Sequence, residues 1–256
     1  MKLKGNNVSA VGIIYREANP REILIEAKTG DHPWELVRGQ LCVIGGNWIG
    51  ENARGDKGPL DTFLREVREE LSLDRPRGSS LELQKLHEMP LEDFRATPIK
   101  RTPAESDRAL LEGLREGILA QAEPFLMALN SVDESAFVRA DPQHTKGGTR
   151  GISCYYMMAL NEDDWGILAK LQFDYGNLSN ESVTLITSLD EILETGHHAA
   201  FAHDYVLRAF FMSRGFAEAE NFPLVEGGRS IPLGMPCKTY EELTELFDIA
   251  KTPFNA

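Results

Sequence analysis

Glu66, Glu69 and Glu70 are three carboxylates that one helical turn can gather. On a helix they stand at i, i+3 and i+4, so they share a face. Carboxylates crowded in this way repel one another unless a cation sits among them. All-oxygen ligation suits a hard divalent ion such as Mg²⁺ or Mn²⁺. Arg65 and Arg68 lie in the same stretch, so a solvated acidic face balanced by arginine is the alternative reading. The far side of the helix carries Leu60, Leu64, Val67 and Leu71 at helical spacing, a stripe that faces a core.

The elements that must position these carboxylates precede them. Residues 8–15 are nearly all apolar and read as a strand buried on both faces. Asn19-Pro20 reads as a turn, and residues 22–27, with Ile23-Leu24-Ile25, as the hairpin partner. Residues 29–33 read as a loop. Residues 34–37 and 40–44 read as further short strands leading into Gly45-Gly46. A polar loop follows, then a helix ending near Leu73.

This order, with Arg65-Glu66-Val67-Arg68-Glu69-Glu70 and Leu73, resembles the Nudix box, Gly-x5-Glu-x7-Arg-Glu-U-x-Glu-Glu-x-Gly-U, where U is apolar. The second half of the pattern fits apart from Ser72, which replaces the glycine. The first half departs from it. Lys57 stands where the family has a glutamate, the loop between Gly46 and Arg65 is longer, and Ile44 replaces a frequent proline. Glu51 and Asp56 are the two candidates for the displaced loop acid.

The resemblance implies an α/β (α+β) fold, an α/β/α sandwich around a mixed sheet. It also implies hydrolysis of a diphosphate bond in a nucleoside diphosphate derivative or similar phosphorylated small molecule. Carried over by position, Glu66, Glu69 and Glu70 would hold Mg²⁺ or Mn²⁺, and one of them could move a proton. Arg65 would orient a carboxylate, and Gly45 and Gly46 would shape the entry to the helix. Two other readings share the fold: a nucleotide-binding or regulatory module without catalysis, and a metal-dependent isomerase of an isoprenoid diphosphate. The isomerase would need a reactive cysteine near the metal, and the sequence singles none out.

The rest of the chain reads as one domain over 1–256. Residues 75–80 form a turn and 81–86 a possible strand. Residues 104–122 look like an inserted helix with Leu110, Leu111, Leu114, Ile118 and Leu119 on its apolar side, serving as packing helix, lid or dimer contact. Residues 125–129, 137–139, 152–160 and 183–187 are strand candidates. The basic loop at 145–151 offers Lys146 and Arg150 to a phosphate, or is an ordinary hairpin loop. Asn161 caps a helix running through Leu171, and the acids after it either serve its first turn or add a metal ligand. Ser188 and Glu191 form a capping box. Residues 199–213 read as one helix packing through Phe201, Tyr205, Leu207 and Phe211.

His197, His198 and His203 lack the spacing of a zinc protease, and helix-start or packing roles suit them better than ligation. The extension over about 215–256 reads as loops and one last helix at 239–251, opened by a Thr239/Glu242 capping box. Trp34, Trp48, Phe173 and Tyr175 are aromatics able either to stack on a base or to fill the core.

The net charge of −13, from 40 acids and 27 bases, opposes a nucleic-acid polymer or anionic membrane as partner. It permits a small phosphorylated substrate, because bound metal reverses the local sign. Cys42, Cys154 and Cys237 are widely separated, which suggests buried thiols rather than a zinc knuckle or disulfide framework. No apolar run is long enough for a signal peptide or a membrane span, so a cytoplasmic protein is expected; a homodimer is suggested only by analogy of fold.

Overall fold

The computed structural model describes residues 3–5, 7–29, 32, 37–48, 55–73, 102–132, 149–179 and 182–249. Glu51, Trp34, Lys146 and the strand candidates at 81–86 and 137–139 lie outside them, as does the side chain of Arg150.

The chain builds one large mixed sheet. Its strands are β2 (Asn7–Arg16), β3 (Asn19–Ala27), β4 (Leu41–Cys42), β5 (Ile44–Asn47), β6 (Glu123–Val132), β7 (Thr149–Leu160), β8 (Val183–Ser188) and β9 (Gly228–Gly234). The spatial order is β4-β3-β2-β7-β6-β9, with β5 paired to β2 and β8 to β3. The β2–β7 ladder is parallel and the other pairings of this sheet are antiparallel. Two short strands, β1 (Leu3–Gly5) and β10 (Phe247–Ile249), pair apart from it.

Helices cover both faces, as expected of a sandwich. On one side α1 (Pro59–Glu70), α2 (Glu105–Ala120) and α3 (Glu162–Tyr175) bury Phe63, Val67, Leu114, Ile118 and Leu168 against Ala10, Ile14, Leu24 and Tyr156. On the other, α4 (Leu189–Thr195) and α5 (His203–Ser213) bury Ile192, Leu207, Phe210 and Phe211 against Val11, Ile13, Ile23 and Leu185. Each large apolar side chain fully buried in this way contributes about 1.5–3 kcal/mol. Among the described residues no helix is long and apolar enough to cross a membrane.

Several expectations are corrected. The turn of the first hairpin is at Glu17-Ala18, and Asn19 and Pro20 already belong to β3. Gly45 and Gly46 lie within β5 rather than after a strand. Leu110 is exposed, and Leu111, Leu114 and Ile118 carry the packing of α2. The expected helix over 199–213 is broken: Phe201 and Ala202 have φ of 59° and 62°, which ends a short turn before α5 begins. The extension is not only loops and a helix, because β9 joins the main sheet against β6. Its last helix, α6 (Tyr240–Leu246), stops well before residue 251.

Three caps are as read. Asn161 accepts from the Asp164 N–H, Ser188 from Glu191, and Thr239 closes a full capping box with Glu242. Glu191 itself accepts from the Thr187 hydroxyl instead of closing a box.

Candidate functional site

The sheet forks between β2 and β3. Those strands pair through Leu24 and Ile14, then part. The segment from Leu41 to Asn47 enters the gap, pairing first with β3 at Glu26 and Ala27 and then with β2 from Ser9 to Gly12. Helix α1 lies over this fork and packs on β5 and β2.

The approach is so close that side chains are excluded. Gly45 has φ of 136°, and a Cβ there would stand 2.3 Å from the Ala10 carbonyl oxygen. A Cβ at Gly46 would stand 2.3 Å from the Glu66 carboxyl carbon. The glycine pair therefore lets the helix carboxylates rest against the strand backbone.

The three glutamates divide between two environments. Arg65 gathers one set. Its Nε and Nη2 donate to Asp56 Oδ2 at 3.1 and 3.0 Å, and Nη1 donates to Glu66 Oε1 at 2.7 Å and Glu69 Oε2 at 3.1 Å. Asp56 is buried and also accepts from the Thr62 hydroxyl at 2.9 Å. Of the two candidate loop acids, Asp56 is the one seen holding Arg65.

Glu70 faces the other way, into the fork. It is 3% exposed and accepts from the Gly45 N–H at 3.0 Å. Burial, and then the negative charge of Glu26, hold its carboxyl well above the usual carboxylate range, against the pull of Lys28 and the Gly45 N–H. Glu69, by contrast, is half-exposed. Among the described residues no group of three or more His, Cys, Asp or Glu side chains stands ready to hold a metal ion. Arg65 is the physical reason, since it draws Glu66 and Glu69 toward itself while Glu70 turns inward.

The ends of α1 explain two departures from the box. Leu71 leaves the helix in extended conformation, and Ser72 does not adopt a positive φ, so that position needs no glycine's freedom. Arg115 of α2 donates to the carbonyls of Arg68 and Leu71, satisfying the helix C-terminus. At the other end, Lys57 donates its N–H to Asp61, and its carbonyl accepts from Tyr240. The position that lacks the family's glutamate thus serves as a backbone anchor. Tyr240 stacks on Trp48 with ring centroids 3.9 Å apart, so Trp48 already has an aromatic partner. Tyr175 is buried with its hydroxyl donating to Asp107, while Phe173 is 83% exposed.

Beneath the fork lies a polar group that sequence reasoning missed. Lys28, nearly buried, donates to Ser182 Oγ at 2.9 Å and stands 3.4 Å from Glu26 Oε2. The Cys42 thiol lies 3.6 Å from His203 Nδ1. Burial pushes that thiol up to about 12 despite Lys28, and burial followed by Lys28 pushes His203 down to about 3. Both are neutral near pH 7, as burial dictates for a thiol and an imidazole. The packing role favoured for His203 is what the geometry gives. The signal available in the sequence was a charge in an apolar run: Ile23-Leu24-Ile25 continues into Glu26-Ala27-Lys28, placing Glu26 and Lys28 on the same face as Leu24.

No protein-family model and no curated protein matches the chain. Among solved structures, a similar chain is a Nudix hydrolase from Alicyclobacillus acidocaldarius, at TM-score 0.30 and 12% identity over 96% of this chain and 99% of that one. A likeness of that size decides neither fold nor function.

Proposed function

We propose that the chain is a metal-dependent hydrolase that cleaves a diphosphate bond in a nucleoside diphosphate derivative or similar small phosphorylated molecule. The observation that carries this reading is the junction of strand and helix. Gly45 donates its N–H to buried Glu70, and Gly46 leaves space that the Glu66 carboxylate occupies. A helix needs no such contact merely to pack, and carboxylates held this tightly are expensive to bury.

The donor set, all carboxylate oxygen, fits a hard divalent ion, with Glu66 and Glu70 against the strand and Glu69 at the rim. When bound, Mg²⁺ or Mn²⁺ supplies screening of phosphate charge and a more acidic water. The residues supply position. Arg65, clamped by Asp56, fixes Glu66. The Gly45 N–H fixes Glu70 and favours its charged form. Lys146 and Arg150 are the proposed phosphate contacts from the basic loop.

One observation favours a second reading, a ligand-binding fold without catalysis: Glu66 and Glu69 both engage Arg65 instead of converging with Glu70. A phosphate-release screen separates the two readings. Purified protein is incubated with nucleoside diphosphate derivatives and nucleoside triphosphates in Mg²⁺, Mn²⁺ or EDTA, then with a phosphatase that acts on newly exposed terminal phosphates. The hydrolase reading expects release from one substrate class, abolished by EDTA. Ligand binding without release in any metal would establish the binding module.

A further inference from the structure

The C-terminal extension returns to the start of helix α1. A Cβ on Gly58, the residue before α1, would stand 2.1 Å from the Lys238 carbonyl oxygen, so only a glycine lets the two backbones meet. The Tyr240 N–H donates to the Lys57 carbonyl at 3.1 Å, and the Thr239/Glu242 capping box fixes the first turn of α6 beside it. Tyr240 is 1% exposed and stacks on Trp48, just beyond Gly46. A phenylalanine would stack there equally well. The hydroxyl is what packing does not require, because a buried hydroxyl costs free energy without a partner.

Its partner is Thr62 Oγ1, at 2.5 Å. The direction of the bond follows from the supply of protons. The Thr62 hydroxyl donates its own proton to Asp56 Oδ2 at 2.9 Å, and a carboxylate paired with Arg65 can only accept. The Tyr240 hydroxyl is therefore the donor to Thr62. Burial holds that phenol above its ordinary pKa despite the Thr62 hydroxyl, so Tyr240 keeps its proton at neutral pH. A threonine inside a helix can otherwise turn its hydroxyl back to the carbonyl four residues earlier, here that of Gly58. With the phenol proton on its lone pair, Thr62 stays turned toward Asp56. Asp56 Oδ2 is then fixed, and with it the guanidinium that reaches Glu66 at 2.7 Å and Glu69 at 3.1 Å.

We infer that Tyr240 is a positioning residue for the candidate site: its hydroxyl, acting through Thr62 and Asp56, sets the Arg65 clamp on Glu66. The C-terminal extension thereby completes the site, although it supplies none of the site's carboxylates. The effect on turnover rests on the hydrolase reading; the effect on Arg65 does not.

Tyr240→Phe in the full chain keeps the stack and removes the hydroxyl, with circular dichroism confirming the fold. The probe is the nitrogen NMR signal of the Arg65 Nε–H, identified by its loss in Arg65→Lys. In Tyr240→Phe that signal shifts, and its proton exchanges with water about two- to tenfold faster, the size expected for one buried hydrogen bond. In Mg²⁺-dependent phosphate release, kcat falls by a similar factor and KM is unchanged. Thr62→Val has the same effects, Thr62→Ser keeps wild-type values, and Tyr240→Phe combined with Thr62→Val loses no more than Thr62→Val alone. Where Tyr240→Phe fails to fold, Thr62→Val applies the test from the other end of the bond. A wild-type Arg65 signal in Tyr240→Phe, or losses that multiply in the double variant, would overturn this inference while leaving the hydrolase reading intact. A shifted Arg65 signal in a chain whose wild type shows no turnover would overturn the hydrolase reading alone.

Discussion

Around Arg65 each of three carboxylates is hydrogen-bonded to the same cation. One guanidinium meets Asp56, Glu66 and Glu69, and Glu69 remains in contact with water. Around Glu70, one turn further along the same helix, compensation is incomplete. Two buried carboxylates share one lysine, and one oxygen has no partner. The Arg65 region can be explained as structure alone, because each of its carboxylates is hydrogen-bonded to the guanidinium. The Glu70 region is not explained in the same way, because a buried carboxylate oxygen without a partner, Oε1 of Glu26, opposes folding. On the proposed function, the side with the unpartnered buried oxygen is where the chemistry belongs, even though the Arg65 side contains more acids.

The two glycines break this comparison most sharply. Gly45→Ala forces a side chain onto φ of 136° and into the Ala10 carbonyl. It should cost roughly 1–3 kcal/mol or more in denaturant unfolding and displace the N–H that holds Glu70. A pH titration of stability probes the buried side by a separate route. His203 stays neutral in the fold down to about 3, whereas the unfolded residue takes up a proton below 6.5. The unfolded state then binds more protons, so stability falls as pH drops through that window, by about 1.4 kcal/mol per unit. Asp204, raised to about 6 by burial, acts in the opposite sense, favouring the fold as pH falls from about 6 to 4. His203→Gln should remove the first effect and leave stability rising toward acid in the Asp204 window. An unchanged profile would contradict a neutral buried His203.

The smallest stability effect belongs to Gly46→Ala. Its obstacle is the end of a flexible side chain, the Glu66 carboxylate, which can swing away. Unfolding free energy should change by no more than about 1 kcal/mol. Turnover should fall several-fold because Glu66 has moved. Loss of stability as large as in Gly45→Ala would show that the two contacts are alike and the comparison false.

Helix α1 was legible because its apolar residues recur at helical spacing and Pro59 stands at its start. Local hydrogen bonds made Asn161, Ser188 and Thr239 readable as caps. Glu66, Glu69 and Glu70 were visible as a group, but their division was not. Whether a carboxylate turns toward Arg65 or toward Gly45 depends on strands that meet only in three dimensions. Asp56 could be named but not chosen over Glu51 for the same reason. Strand β9 was hidden by its composition: Gly228-Arg229-Ser230-Ile231-Pro232 carries turn-forming residues and mostly exposed side chains, which an edge strand tolerates. Glu26 was missed because a charge in an apolar strand gains meaning only when its cross-strand neighbours are known.

On the proposed function, buried Glu70, not half-exposed Glu69, is at the heart of a metal-dependent diphosphate hydrolysis. Mg²⁺-dependent phosphate release, measured on the responsive substrate class for the wild type, Glu69→Gln and Glu70→Gln, tests it directly. The account predicts a loss of about a hundredfold or more in Glu70→Gln with the fold retained, and a smaller loss in Glu69→Gln. Turnover by Glu70→Gln equal to that of the wild type would contradict it.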